Sequence, residues 1–205
     1  MVFGLITLAA TVPLLATSTV QLQDTAKNQK NGEGSSISET KTSKAHLKVV
    51  PSARERNDIK DIVKDRKLIL KDGAVKLSAQ SEAVLEHHPV TCYFLPFPNA
   101  GYDGLVTTID AQNMLNWVYL DSQTYQVTYG TRAKAEQHET GPMGLTLMAD
   151  GGSKVNMYGW DGYMVVEEEN GEWALYFDKD ANGLSDKIGT SKRVAQIELH
   201  RDMLE

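Results

Sequence analysis

The chain has 205 residues, 41% of them apolar and 23% charged, which is room for one domain with a real hydrophobic core plus extensions. A net charge of −6 and a single cysteine, Cys92, exclude an intramolecular disulfide and a cysteine-based zinc site. They also speak against nucleic acid as the main partner, because phosphate neutralisation needs concentrated Lys and Arg. The charge is uneven: residues 1–80 carry 13 Lys+Arg against 8 Asp+Glu (+5), and the remainder 8 against 19 (−11).

Residues 2–20 contain no charged side chain, and residues 1–22 are expected to form an apolar N-terminal helix. Three fates fit it. Ala16-x-Ser18 offers small residues for signal cleavage and a secreted product. The lysines that follow (Lys27, Lys30, Lys41, Lys44, Lys48) would hold that flank in the cytosol if the segment were an uncleaved membrane anchor. Gly4, Thr7, Thr11 and Ser18 form a small-residue side suited to close packing on a partner protein. Membrane association with a cytosolic domain is the favoured expectation, and secretion the alternative.

Residues 23–57 read as a flexible polar linker, with Asn28–Ser36 nearly pure linker composition. Within it, Leu47–Val50 suits a first strand that docks on the body. Ser52 to Val63 suits a short helix with a capping serine.

Residues 58–205 read as an antiparallel β domain. Asp72-Gly73 predicts a two-residue hairpin pairing Leu70 with Val75 and Leu68 with Leu77. Asn170-Gly171 predicts pairs Val166–Leu175, Met164–Phe177 and Glu168–Trp173. A turn at Ser122-Gln123 predicts Leu120–Tyr125 and Val118–Val127, with Trp117 and Tyr119 on the opposite face. Further strands are expected at Thr91–Leu95, Leu105–Ile109, Leu145–Leu147, Lys154–Tyr158 and Val194–His200. About nine or ten short strands without a crossover helix point to an all-β antiparallel sandwich or partly closed barrel. The stretches Pro96–Gly104 and Glu136–Gly144 are the expected binding loops.

Candidate chemistry is sparse. Asp178, Asp180, Asn182, Gly183 and Asp186 repeat the oxygen-ligand spacing that opens an EF-hand calcium loop, yet position twelve is Gly189 and a strand precedes the segment. The competing reading is a loop whose Asp and Asn side chains bond their own backbone. Trp160 and Asp161, in Gly159-Trp160-Asp161-Gly162, are a candidate ligand rim or a tight bend that tucks an indole. His87-His88 would point to opposite strand faces, and His46, His138 and His200 lack metal spacing. Asp103, Asp110, Asp150 and Asp161 flank strand ends, and Glu167-Glu168-Glu169 is a charge run; a hydrolase would need two such acids converging. Cys92 sits in an apolar run and reads as a buried thiol. No cofactor other than possible calcium is implied.

Several segments resemble small uncharacterised proteins of filamentous fungi. They are Met1-Val2-Phe3-Gly4, Leu115-Asn116-Trp117-Val118-Tyr119-Leu120-Asp121, Tyr125-Gln126-Val127-Thr128-Tyr129-Gly130, Trp173-Ala174-Leu175-Tyr176-Phe177-Asp178 and Lys187-Ile188-Gly189-Thr190-Ser191-Lys192-Arg193. The likeness covers the N-terminal segment and most of the β domain. It implies that the apolar start belongs to the design, and brings no established activity or site residue. The expectation is thus a non-enzymatic β-domain binding module, tethered through its N-terminal segment to a protein or membrane partner, with its ligand unknown. A secreted interaction protein and a carboxylate-based hydrolase are the alternatives.

Overall fold

The computed structural model describes residues 37–79, 87–109, 114–189 and 191–204. The chain divides into two units, residues 1–40 and 41–205. Of the first, residues 37–40 are described and are helical; the proposed apolar helix and residues 23–36 of the linker lie outside the described residues. Among the described residues no helix is long and apolar enough to cross a membrane.

The second unit contains twelve strands among its described residues, where nine or ten were expected. They are β1 (Ala45–Pro51), β2 (Leu68–Lys71), β3 (Ala74–Leu77), β4 (Thr91–Pro96), β5 (Asp103–Thr108), β6 (Leu115–Leu120), β7 (Val127–Gly130), β8 (Met143–Leu147), β9 (Ser153–Met157), β10 (Tyr163–Glu167), β11 (Trp173–Phe177) and β12 (Val194–Met203). Two short helices interrupt them, α1 (Asn57–Val63) and α2 (Arg132–Ala135). The N-cap of α1 is Arg56 rather than the expected serine, and Ile59 and Val63 anchor the helix in the core.

All strand pairs are antiparallel and belong to one sheet, ordered β1-β4-β5-β6-β7-β3-β11-β10-β12-β9-β8, with β2 paired to β3. β1 also pairs with β12 along seven residues, from Ala45↔Met203 to Pro51↔Ile197. That pairing brings the two sides of the path together, so the sheet curls into a partial ring, the barrel-like expectation and not the sandwich. It also places a strand inside residues 23–57, the stretch read as linker: Leu47 and Val49 are buried. The long β12 holds this arrangement because it serves β1, β9 and β10 at once, and its Ala195, Ile197 and Leu199 all point into the core. Burial of each large apolar side chain contributes roughly 1.5–3 kcal/mol before entropy is counted.

The three hairpin registers came out differently. At Asp72-Gly73 the expected pairs form, Leu70↔Val75 and Leu68↔Leu77. Both turn residues have positive φ, 53° and 79°, the geometry of a two-residue type I′ loop. At Asn170-Gly171 the register is shifted by one: Val166 faces Ala174, Met164 faces Tyr176 and Glu167 faces Trp173. The loop has three residues between Glu168 and Glu172, with Gly171 at φ 80° in the last position, the type I turn plus bulge that such loops favour. At Ser122-Gln123 the shift is two: Leu120 faces Val127 and Val118 faces Tyr129. There Asp121 Oδ1 accepts the amides of Gln123 and Thr124 at 3.0 and 2.9 Å, closing a four-residue loop without glycine. An even shift preserves the inward face, so Trp117 and Tyr119 still pack on the far side with Phe97 and Val106.

The β2–β3 hairpin is fastened to β11 by Glu172, which takes Lys71 and Lys76 ammonium groups at 2.6 Å each. These two bonds hold its carboxyl down at about 2, against an ordinary 4.5. The folded pKa lies below the unfolded one, so the stabilisation is complete above about pH 4.5 and is lost as pH falls toward 2. In an acid titration, Glu172→Gln should therefore remove part of the stability change between those two pH values. Because Glu172 is 28% exposed, the difference should shrink in high salt. Equal acid sensitivity in both proteins at low salt would contradict this role.

Candidate functional site

Loops that sequence reasoning flagged separately are joined by main-chain hydrogen bonds. The Pro142 carbonyl accepts the Tyr158 amide at 2.9 Å, the Gly162 carbonyl accepts Asp178 at 2.8 Å, and Tyr125 accepts Phe177 at 3.0 Å. Glu139 exchanges two backbone bonds with Leu120, 2.8 and 3.1 Å. The Tyr102 hydroxyl meets Thr140 Oγ1 at 2.9 Å. Both expected binding stretches, Pro96–Gly104 and Glu136–Gly144, thus contribute to the same face as the Trp160 turn and the Asp178 loop.

At its centre, Glu139 accepts the Tyr158 hydroxyl at 2.6 Å and the Lys179 ammonium at 2.7 Å. Lys179, then Tyr158, lowers the carboxyl pKa of Glu139. Desolvation, then the bond to Glu139, raises that of Tyr158. Lys179 also lies 5.4 Å from the centroid of the Tyr158 ring. The ring of Tyr125 carries the Lys187 ammonium at 4.2 Å, within cation–π range, and its hydroxyl bonds to Asp180, which raises its pKa. Tyr102, Tyr125, Tyr158 and Trp160 are all half-buried, each keeping some surface in solvent.

Trp160 sits in a tight turn in which Tyr158 and Gly159 have φ of 55° and 81°. Its indole packs edge-on against Phe177, ring centroids 5.4 Å apart. It is therefore tucked, as the bend reading expected, yet stays at the rim. Asp161 points elsewhere, to Lys154 at 2.5 Å; its Oδ1 is buried without a hydrogen-bond partner. The structure does not bring Trp160 and Asp161 together as one subsite.

The Asp178–Asp186 loop stays together in space but spends its oxygens internally. Asp178 is buried, and its Oδ1 accepts the amides of Asn182 (3.1 Å) and Leu184 (3.4 Å), while Oδ2 accepts Gly183 (2.8 Å). Asn182 donates to Asp186 at 2.8 Å, which lowers the Asp186 pKa, and Asp180 serves Tyr125. Among the described residues no group of three or more His, Cys, Asp or Glu is placed to hold a metal ion.

Other candidates resolve simply. Cys92 is fully buried, and burial pushes its thiol up to about 12, which suits an inert core residue. Glu167 pairs with Arg193 at 2.5 Å and Glu168 with Lys192 at 2.8 Å, leaving Glu169 exposed. Asp110 lies outside the described residues. Glu139, Tyr158, Lys179 and Tyr125 were not singled out from sequence. The only local signal for them was tyrosine next to turn residues, and nothing local joins Glu139 to Lys179, forty positions away.

The model of a fungal β-trefoil domain family matches residues 18–205, nearly the whole chain. No curated protein matches the chain, and no solved structure does. The twelve-stranded antiparallel sheet, curled into a partial ring, and the matched span agree, and the chain belongs to the fungal β-trefoil domain family.

Proposed function

We propose that this β-trefoil domain is a non-catalytic binding module whose contact surface is the loop face around Glu139. The observation that carries the reading is four half-buried aromatic rings, Tyr102, Tyr125, Tyr158 and Trp160, on loops tied to one another by main-chain bonds and, for Tyr102, by its hydroxyl contact with Thr140. Rings held in this way offer contact area at low ordering cost, and the Glu139–Lys179 pair adds fixed polar partners. The acid–base state supports binding over hydrolysis. Every described carboxylate with a displaced pKa is displaced downward, including Asp121, Glu139, Glu172 and Glu198, while Tyr158 and Tyr125 hold their protons more tightly than usual. A hydrolytic acid needs the opposite shift.

The uncharged run of residues 2–20 and the linker-like composition that follows support attachment of the module to a membrane or protein partner. Intact mass of the native chain in membrane and secreted fractions separates anchoring from cleavage near Ser18.

The test is a labelled chain applied to printed oligosaccharides and peptides, with each hit re-measured using a Trp160→Ala/Tyr125→Ala variant. The expected result is at least a tenfold loss of affinity with the fold retained. Unchanged affinity, or turnover of a bound compound, would contradict the reading.

A further inference from the structure

A second feature lies apart from the residues of the loop face. A cavity of about 370 Å³ is lined by His46, Leu47 and Lys48 of β1, by Asp65–Leu68, by Pro89 and Val90, and by Asp202. Its volume is in the range of small-molecule sites. Three observations about its cations require explanation. Lys48 and Lys67 are directly opposed in a β-bridge, an arrangement of like charges that costs stability. No ion pair involves Lys48, Arg66 or Lys67 among the described residues. Arg66 Nε is shielded from solvent with no hydrogen-bond acceptor, and desolvation lowers the pKa of its guanidinium.

A shielded guanidinium N–H without an acceptor is costly, and native proteins leave few such groups. Arg66 also lines a second cavity, shared with Glu172, but that carboxylate already holds Lys71 and Lys76 at 2.6 Å each. On the first cavity's wall, Nδ1 of His46 is engaged by Thr91 Oγ1 at 3.2 Å, which leaves Nε2 without a hydrogen-bond partner among the described residues. Lys48, Arg66 and Lys67 outnumber the two acids, Asp65 and Asp202, in a chain whose net charge is −6.

We propose that this cavity binds a tetrahedral oxyanion carried on a small organic molecule, a phosphate or sulfate ester. The guanidinium fork and two ammonium groups would share its oxygens, with charge-assisted bonds in place of the present like-charge opposition. The cavity exceeds what a bare ion needs, so the rest of the ligand occupies the remainder, beside Leu47, Leu68 and Val90.

The test is thermal unfolding and calorimetric titration of the full chain with inorganic phosphate, inorganic sulfate, glucose 6-phosphate and glucose 6-sulfate. Sodium chloride at matched ionic strength and glucose are the controls. At a tenfold excess over Kd, an ester should raise Tm by roughly 3–6 °C. The tighter of the two esters identifies the natural oxyanion. Arg66→Gln should weaken binding at least tenfold. Should that variant fold poorly, Lys48→Gln/Lys67→Gln, at two exposed positions, carries the test: it should raise the Tm of the ligand-free protein while abolishing the phosphate response. Trp160→Ala should leave that response intact, which separates this site from the loop face. A phosphate and sulfate response no larger than that of chloride, equal binding of glucose, or an undiminished response in the lysine variant would overturn the proposal.

Discussion

Asp178→Ala should lower stability by about 3 kcal/mol, the expected cost of leaving buried amides without their charged acceptor. Three main-chain amides, those of Asn182, Gly183 and Leu184, depend on this one carboxylate. Leu184, fully buried beneath the loop, depends on the same turn for its position. In a domain of this size the loss should appear as a Tm lower by roughly 6–12 °C. Asp178→Asn should lie between wild type and alanine, since one amide oxygen can still accept. Millimolar calcium should leave all three unfolding curves unchanged. A calcium-dependent rise of several degrees in wild type, absent in Asp178→Ala, would instead make the loop a metal site.

The second large effect is expected at Phe177. Its ring is wholly buried, and the rings of Tyr163, Trp160 and Tyr158 surround it with centroids 5.1, 5.4 and 6.2 Å away. Phe177→Ala should cost about 3–5 kcal/mol, from lost transfer energy and the cavity left behind. It should do more than destabilise. Trp160 and Tyr158 take their orientation from this ring, so the variant should lose ligand affinity even at temperatures where it is fully folded. Phe177→Leu, which retains most of the volume, should recover much of the stability but less of the affinity, because an aliphatic group offers no edge-to-face partner. Denaturant unfolding and binding measured on both variants separate the two roles. Parallel loss and recovery of stability and affinity would mean that Phe177 acts on the site only through folding.

How much of this was legible from sequence depended on how local the determining interaction is. The Asp72-Gly73 hairpin was readable because two adjacent residues with positive φ fix both the turn and the register. Asn170-Gly171 carried a similar dipeptide, but glycine occupies the third loop position, and the register moved by one. The apolar pattern could not correct this, because Val165 and Val166 are both buried, on opposite faces of the sheet. Only where one face is wet does a slip of one residue declare itself. The Asp121 loop escaped for a different reason: its closure depends on a side-chain carboxylate rather than on turn residues.

The ring was visible only as a class. Its joining pair, β1 with β12, links residues about 150 positions apart, and nothing in either strand names the other. The site followed the same rule. Trp160 and the Asp178 loop stood out by composition, and the loops Pro96–Gly104 and Glu136–Gly144 by their length. Their convergence rests on long-range bonds, Glu139 to Tyr158 and to Lys179, which have no local signature. Where a flagged residue diverged from its neighbour, as Asp161 does from Trp160, the cause was alternation along the chain after a tight turn and the attraction of Lys154.

The central claim is that the loop face around Glu139 binds a ligand without transforming it. The most direct measurement is a titration of isotope-labelled protein with a ligand found on the printed panel, read residue by residue as amide chemical-shift changes. The account predicts the largest changes at Tyr102, Tyr125, Glu139, Tyr158, Trp160 and Lys179, with the ligand recovered unchanged. Shifts confined to other strands, or a chemically altered ligand, would contradict it.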